Sequence, residues 1–417
     1  MIKQYMTLPR PVLILCLGTF INRTGSMMVV FLTFYLKDEL GLTVEFASLA
    51  PAAYGVGALV AAVLGGHLAD LIGRRIVMLA SMFGGGAILL VFGHLTSPVS
   101  IIVAAGLFAV VMESYRPAAS AMIADLVEHD QRTRAFGLMY VSINLGAAIA
   151  PLLANFLIHT YSFLWLFRVD ALTSIAYATL ILVTIAETLP SRRAAPVDGQ
   201  APRQSNAGQK DDDRSDTSSI SFVAAVVHIL RDRAFLIFCL ATLCLASAYS
   251  QAITTFPLYL SELGLKSKYA YIIAVNGIMI VCLQLPVTAV IMRHSRTNMM
   301  ILGAVLTAAG FGLIGLAHSV GLLVLTVVIW TFGEMMFAPL VPAIVTDMAP
   351  VNMRARYMGA LTVCFSLGMI TVPIAGMVLQ RLGGGWLWGG TLAVGILAAC
   401  LYGSIRPHID RIAQDQS

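Results

Sequence analysis

The sequence predicts an all-α membrane protein, with twelve transmembrane helices in two pseudo-symmetric six-helix bundles. Three observations predict it. Hydrophobic residues make up 59% of the 417 positions and charged residues 11%, against roughly 25% charged in a soluble domain. Apolar runs of about 20 residues, the length that crosses a bilayer as a helix, recur along the chain. The chain also repeats itself. At one constant offset Pro117 meets Pro339, Asp125 meets Asp347, Arg132 meets Arg354 and Arg134 meets Arg356. Gly137 then meets Gly359, Gly146 meets Gly368 and Pro151 meets Pro373, without a gap. Such a repeat indicates two similar halves in the same orientation.

The expected spans are 11–36, 46–69, 76–95, 99–125, 135–158 and 163–187 in the first half. In the second they are 234–260, 269–292, 298–317, 320–347, 357–380 and 386–405. Residues 1–189 and 222–417 are therefore the two bundles. Between them, 190–221 is rich in Arg, Asp, Ser, Gln and Gly; it cannot bury a core and reads as a linker. Phe222–Arg231 is amphipathic and suits a helix along the membrane surface. Lys and Arg divide 19 to 4 between the two sets of loops, with Arg23, Arg116 and Arg168 inside spans. That bias predicts cytoplasmic termini and linker in a plasma membrane, the inner membrane of a bacterium. Trp165, Trp386 and Trp388 fall where spans meet the outer interface, as an aromatic belt would. The 35 glycines read first as close-packing residues between helices.

The net charge of +5 is spread over short loops, so it does not indicate nucleic acid. The six cysteines lie in apolar runs without metal-ligand or disulfide spacing. No nucleophile motif, phosphate-binding loop or soluble catalytic domain supports an enzyme or a receptor. No cofactor is expected.

A charged side chain at the centre of a bilayer costs about 3 kcal/mol on insertion scales, so each one is a functional candidate. Four lie near mid-span: Arg23 in the first, Glu113 and Arg116 in the fourth, and Glu334 in the tenth. Glu113 and Arg116 are three apart and share a helix face. Arg23 is a candidate cross-helix partner for Glu113; the plainer reading is a buried ion pair that only fixes two helices. Glu334 lies one residue out of register with Glu113 and has no basic residue in its span. Glu113 and Glu334 are the candidate proton carriers, since no histidine lies mid-span. Asn22, Tyr54, Tyr115 and Tyr249 are candidate substrate contacts beside Arg23 and Arg116. Tyr140, Tyr259 and Phe256 could also meet an aromatic substrate, though each is as readily a packing residue. Arg168 and Asp170 read as a local pair.

Between the second and third spans stands Gly66-His67-Leu68-Ala69-Asp70-Leu71-Ile72-Gly73-Arg74-Arg75. It resembles the G-x-L-a-D-r-x-G-r-[KR] signature of the major facilitator superfamily, with Leu71 where a basic residue is usual. The resemblance implies the major facilitator fold. It also implies a cytoplasmic gate in which Gly66, Asp70, Gly73, Arg74 and Arg75 contact a helix of the other half. The equivalent second-half loop keeps Arg293 and Arg296 but lacks the acid and the glycines, so the two gates are expected to be unequal. In this superfamily the first, fourth, seventh and tenth helices line a central cavity, and three of these carry all four mid-span charges.

Gly146, Ala150 and Pro151 resemble the G-x-x-x-G-P pattern of the superfamily's antiporters, with alanine for the second glycine. Gly368 and Pro373 echo part of it, so that part belongs to both halves. The resemblance implies alternating access and proton-coupled efflux of small amphiphilic compounds, as in twelve-span multidrug antiporters. The alternative is proton-coupled symport of peptides or other small polar solutes. Helix five resembles that of proton-coupled oligopeptide transporters, and Arg23 sits where their first-helix arginine does, although the acids and tyrosines of that motif are absent. The expected partners are a small-molecule substrate, protons and the lipid bilayer, with no nucleic acid, and the chain is expected to act as a monomer.

Overall fold

The computed structural model describes residues 7–28, 31–32, 35–41, 44–189, 222–252, 255–265, 268–370 and 381–415. These are almost wholly helical. The first half comprises α1 (Arg10–Gly25), α2 (Val44–Ile72), α3 (Arg74–Phe92), α4 (Pro98–Leu126), α5 (Arg132–Thr160) and α6 (Leu164–Thr184). The second comprises α7 (Arg233–Ser250), α8 (Tyr269–Ile291), α9 (Arg296–Leu313), α10 (Val320–Met348), α11 (Arg354–Ile370) and α12 (Gly384–Ser404). A short helix, Thr255–Glu262, follows α7, and surface helices Phe222–Arg231 and Arg406–Asp415 flank the second half. Ten of the described helices are long and apolar enough to cross a membrane. The first, seventh and eleventh expected spans run into residues outside the described set. So do the linker expected at 190–221 and Pro373.

Each half packs in the same way. In the first, α2 lies on α4, α3 on α6, and α1 between α5 and α6; in the second, α8 lies on α10, α9 on α12, and α7 between α11 and α12. One detail of the duplication has a direct cause. Pro117 cannot donate to the Glu113 carbonyl four residues earlier, and α4 breaks at Ser114. Pro339 likewise frees the Met335 carbonyl, but Gln284 Nε2 of α8 takes it at 2.9 Å, and α10 runs through unbroken. Val99, Val103, Leu152 and Val183 are over 60% exposed on the lateral surface, which is stable only if lipid covers them.

The halves meet along α2 with α11 and α5 with α8, with α5 also on α10. The α2–α11 contact is made backbone to backbone. A Cβ on Gly66 would lie 2.4 Å from the Ala355 carbonyl oxygen, and one on Gly359 would lie 2.1 Å from that of Ala62. Neither position tolerates a side chain without moving a helix.

Of the three tryptophans expected at the outer interface, Trp386 is 70% exposed and Trp165 37%, but Trp388 is fully buried. It packs against Phe256 and Tyr259. Trp386 and Trp388 are two residues apart on α12, about 200° around a helix, so they cannot both face lipid.

Candidate functional site

Two clusters stand out: a set of charged contacts at the end bearing Arg74, Arg132, Arg296 and Arg354, here termed the basic face, and a cavity between the halves.

At the basic face the repeat builds one device twice. Asp125 lies 3.1 Å from Arg74 of its own half and accepts from Arg354 of the other at 2.6 Å. Asp347 accepts from Arg296 of its own half at 2.9 Å and from Arg132 of the other. Arg74 Nη2 donates to the Val351 carbonyl at 2.9 Å, and Arg296 Nη2 to the His129 carbonyl at 2.7 Å. Every residue in one set meets its counterpart in the other at the repeat offset. The side chains are mostly buried, and each aspartate faces two guanidiniums, so removing either carboxylate would leave charge without a partner. The pairing of Arg74 with Arg296 was available in the sequence, because both open the third helix of their half.

The departures from the duplication are Asp70 and His129. The Asp70 carboxylate accepts from the backbone N–H of Ala355 at 3.2 Å and Arg356 at 2.9 Å, so it caps the N-terminus of α11 across the interface. Arg74 lies 3.3 Å from it. His129 Nδ1 sits 3.1 Å from Asp347, where the repeat offers only Val351. Arg75 turns back into its own half and donates to the Leu182 carbonyl at 2.6 Å. Glu187, which sequence reasoning missed, accepts from the backbone N–H of Arg74 and Arg75, both at 3.0 Å. Gly73, at φ 119°, makes room: a Cβ there would lie 2.3 Å from the Glu187 carboxylate. Asp70, Gly66 and Arg74 thus contact the other half, while Arg75 and Gly73 shape the turn.

The cavity has a volume of about 470 Å³ and draws on both halves. The first half contributes Thr19, Arg23, Tyr115, Arg116, Tyr140 and Asn144; the second adds Tyr249, Glu334 and an apolar surface including Phe337 and Phe365. Glu334 is 3% exposed. It accepts from Tyr140 of α5 and, at 2.7 Å, from Asn276 of α8, and Tyr249 of α7 also faces it. Glu334 makes no ion pair among the described residues, but it does not stand alone. Its oxygens collect donors from three helices, one in the other half.

Glu113 is placed differently. It accepts from the Tyr54 hydroxyl at 2.6 Å and approaches Arg116 at 3.4 Å, and it does not line the cavity. Arg116 is 53% exposed, so the pair contributes no more than about 0.5 kcal/mol. Arg23 forms no ion pair or side-chain hydrogen bond among the described residues, so the expected Arg23–Glu113 pair is not made. Asn22 is buried and donates to Ser174 at 3.0 Å, a packing bond between α1 and α6. Of the aromatic candidates, Tyr115, Tyr140 and Tyr249 reach the cavity; Tyr54 serves Glu113, and Phe256 and Tyr259 are core.

Asp170 corrects a further expectation. It does not pair with Arg168, whose guanidinium stacks over Trp165 at 5.2 Å. Its carboxylate is buried and accepts from the backbone N–H of Met27 at 3.2 Å and Met28 at 3.3 Å, where α1 ends. Residues two apart on a helix point to different faces, which separates Arg168 from Asp170.

In the structure Gly146 of the helix-five pattern sits in a close helix contact. A Cβ on Gly146 would lie 2.6 Å from the Arg23 Cβ, and one on Gly368 would lie 2.7 Å from the Ala246 Cβ. The same contact therefore joins α5 to α1 and α11 to α7. Ala150 is buried beside Met27, whereas Pro151 is exposed within a helix that runs on to Thr160.

Two duplicated helical bundles with a largely apolar cavity between them, carrying a few charged and polar groups, are the architecture of a membrane transporter. The chain belongs to the Major Facilitator Superfamily, whose family model matches residues 15–373 and 267–412. It is 27% identical to the uncharacterized MFS-type transporter YqjV of Bacillus subtilis, over 88% of this chain and 86% of that protein. It is 25% identical to a Na(+), Li(+), K(+)/H(+) antiporter of Planococcus maritimus, over 88% of each. The fold matches that of the transporter FucP in its outward conformation with a TM-score of 0.72, at 16% identity over 98% of this chain and 99% of that one.

Proposed function

We propose that the chain is a proton-coupled secondary transporter that expels small amphiphilic compounds from the cell by alternating access. One observation carries this reading: Glu334, a buried carboxylate on the cavity wall, has no basic partner among the described residues and is bonded through Tyr140 to the other half. Protonation would remove the charge that Tyr140 and Asn276 now stabilise, and so change the relative free energy of the two halves' arrangements. Only such a difference can drive the switch. The basic face then serves as the cytoplasmic gate, closed by Asp70 on α11 and by the Asp125 and Asp347 clusters. The two bundles rock about the cavity as units, and 190–221 joins them inside the cell. The similarity to a relative named as a cation/H(+) antiporter supports proton exchange.

The test is transport in proteoliposomes under an imposed pH gradient. Wild type should couple proton influx to substrate efflux, and Glu334→Gln should abolish the coupling while keeping substrate binding. If Glu113→Gln and Glu334→Gln both left proton-driven transport intact, carboxylate coupling would be wrong. The alternative, symport of a polar solute, draws on the unpaired Arg23 in the cavity; it requires protons and substrate to move in the same direction in this assay.

A further inference from the structure

Both guanidiniums of the cavity come from the first half, which also lines it with Ile123, Phe136, Met139 and Ile143. Among its lining residues the first half presents two guanidiniums, Arg23 and Arg116, with Thr19 and Asn144 beside them. The wall contributed by the second half is apolar through Phe337, Val341, Leu361 and Phe365, apart from Tyr249, Thr362 and Glu334. Glu334 is already satisfied by Tyr140 and Asn276. Arg23 is not satisfied. The acids that act on it electrostatically are Glu113 and Asp170, and neither approaches within ion-pair distance. Glu113 is engaged with Tyr54 and Arg116, and Asp170 with the backbone of Met27 and Met28. Arg116 keeps one 3.4 Å contact to Glu113 and is otherwise 53% exposed. An arginine on a cavity wall with no anion of its own favours an anion brought by a ligand, and its planar fork suits a carboxylate.

We propose that the substrates are amphiphilic organic anions, whose carboxylate or sulfonate head lies on Arg23 and Arg116 and whose apolar body lies against Phe337, Val341, Leu361 and Phe365. This deepens the transport reading and rests on it only for the claim that the bound molecule is carried. The volume falls within the range that holds a drug-sized ligand. The assignment is one of charge as well as shape. An amphiphilic cation of the same size would set its head against two guanidiniums and would find only a carboxylate that three donors already hold.

Three probes of one shape separate these possibilities: 2-naphthoate, 2-naphthylmethanol and 2-naphthylmethylammonium. Their equilibrium binding is measured on the full-length chain in lipid nanodiscs, with empty nanodiscs as the blank. The carboxylate should bind at least about tenfold more tightly than the alcohol, with the ammonium weakest. Arg23→Gln should bring the carboxylate down to the alcohol's affinity and leave the alcohol within about twofold. Arg116→Gln, at an exposed position that does not hold the fold, should show the same pattern to a lesser degree. Equal binding of the three probes, preference for the ammonium, no binding of any probe, or carboxylate binding unchanged in both variants would each overturn the proposal. Transport separates the two readings. A carboxylate that binds but is never moved by a pH gradient leaves the site standing and removes the transport reading; proton-driven efflux of the ammonium alone does the reverse.

Discussion

Glu113 and Glu334 occupy almost the same place in their halves, and the difference between them lies in one residue of register. A single step along an α-helix turns a side chain by about 100°. Glu334 is thereby aimed at the cavity and at donors from α5, α7 and α8. Glu113 points instead toward α2 and Tyr54, outside the cavity lining. The surroundings of the proline that follows each carboxylate differ too: α4 breaks beside Glu113, whereas α10 runs on past Glu334 with Gln284 on the freed Met335 carbonyl. Two carboxylates alike in sequence therefore differ in what a proton on them could change. On Glu334 it alters a bond between the halves; on Glu113 it alters one within the first half.

The sharpest way to break this comparison is to exchange the roles. Glu334→Gln should lower proton-driven exchange by at least about a hundredfold, the effect expected when a group indispensable for proton transfer is lost, whereas Glu113→Gln should lower it by less than about tenfold. Equal losses in initial rates from proteoliposomes would show that register does not separate the two. Next in size are the duplicated clusters at the basic face. Asp347→Asn leaves Arg132 and Arg296 without a carboxylate, and Asp125→Asn leaves Arg354 without one and Arg74 with Asp70 alone; each should destabilise the closed basic face by about 3 kcal/mol. Interhalf distances from spin labels at the end of α4 and the start of α11 would report this, and unchanged distances would count against a latch. Smaller still is Asp170→Asn. It keeps the size of the side chain but loses the charged cap on Met27 and Met28, which is worth about 1 kcal/mol, and it should show as faster amide exchange around the end of α1 with transport largely retained. The smallest effect belongs to Pro151→Ala. At an exposed position in a continuous helix it should change transport by less than about twofold; a large loss would give the helix-five pattern a specific role.

Much of this architecture is legible in the sequence, because lipid permits few solutions. Apolar length gives the spans and the constant offset gives the two halves. The Gly66–Arg75 loop gives the α2–α11 contact through the family it resembles. Rotation about each helix axis is less legible. It decided the misplaced Trp388, the absent Arg168–Asp170 pair and the unequal carboxylates, and in each case the spacing in residues already held the angle. What no spacing could supply is contact between distant segments: Tyr140 on Glu334, Asp70 on the backbone of Ala355 and Arg356, and Gln284 on the carbonyl that Pro339 frees. Asn276 and Glu187 were missed for that reason. Both are single polar residues in otherwise ordinary runs, and only the packed structure gives them partners.

The backbone contact between α2 and α11 also bears on leakage. With Gly66 and Gly359 facing carbonyls and no side chain between, the attraction across that seam falls steeply with distance. A separation of one ångström would forfeit much of it, together with the Asp70 bonds to α11. A slightly parted basic face is then less stable than a sealed one. On the transport reading proposed above, that steepness would act as insulation: it would keep an ion gradient from leaking through a half-open seam between turnovers.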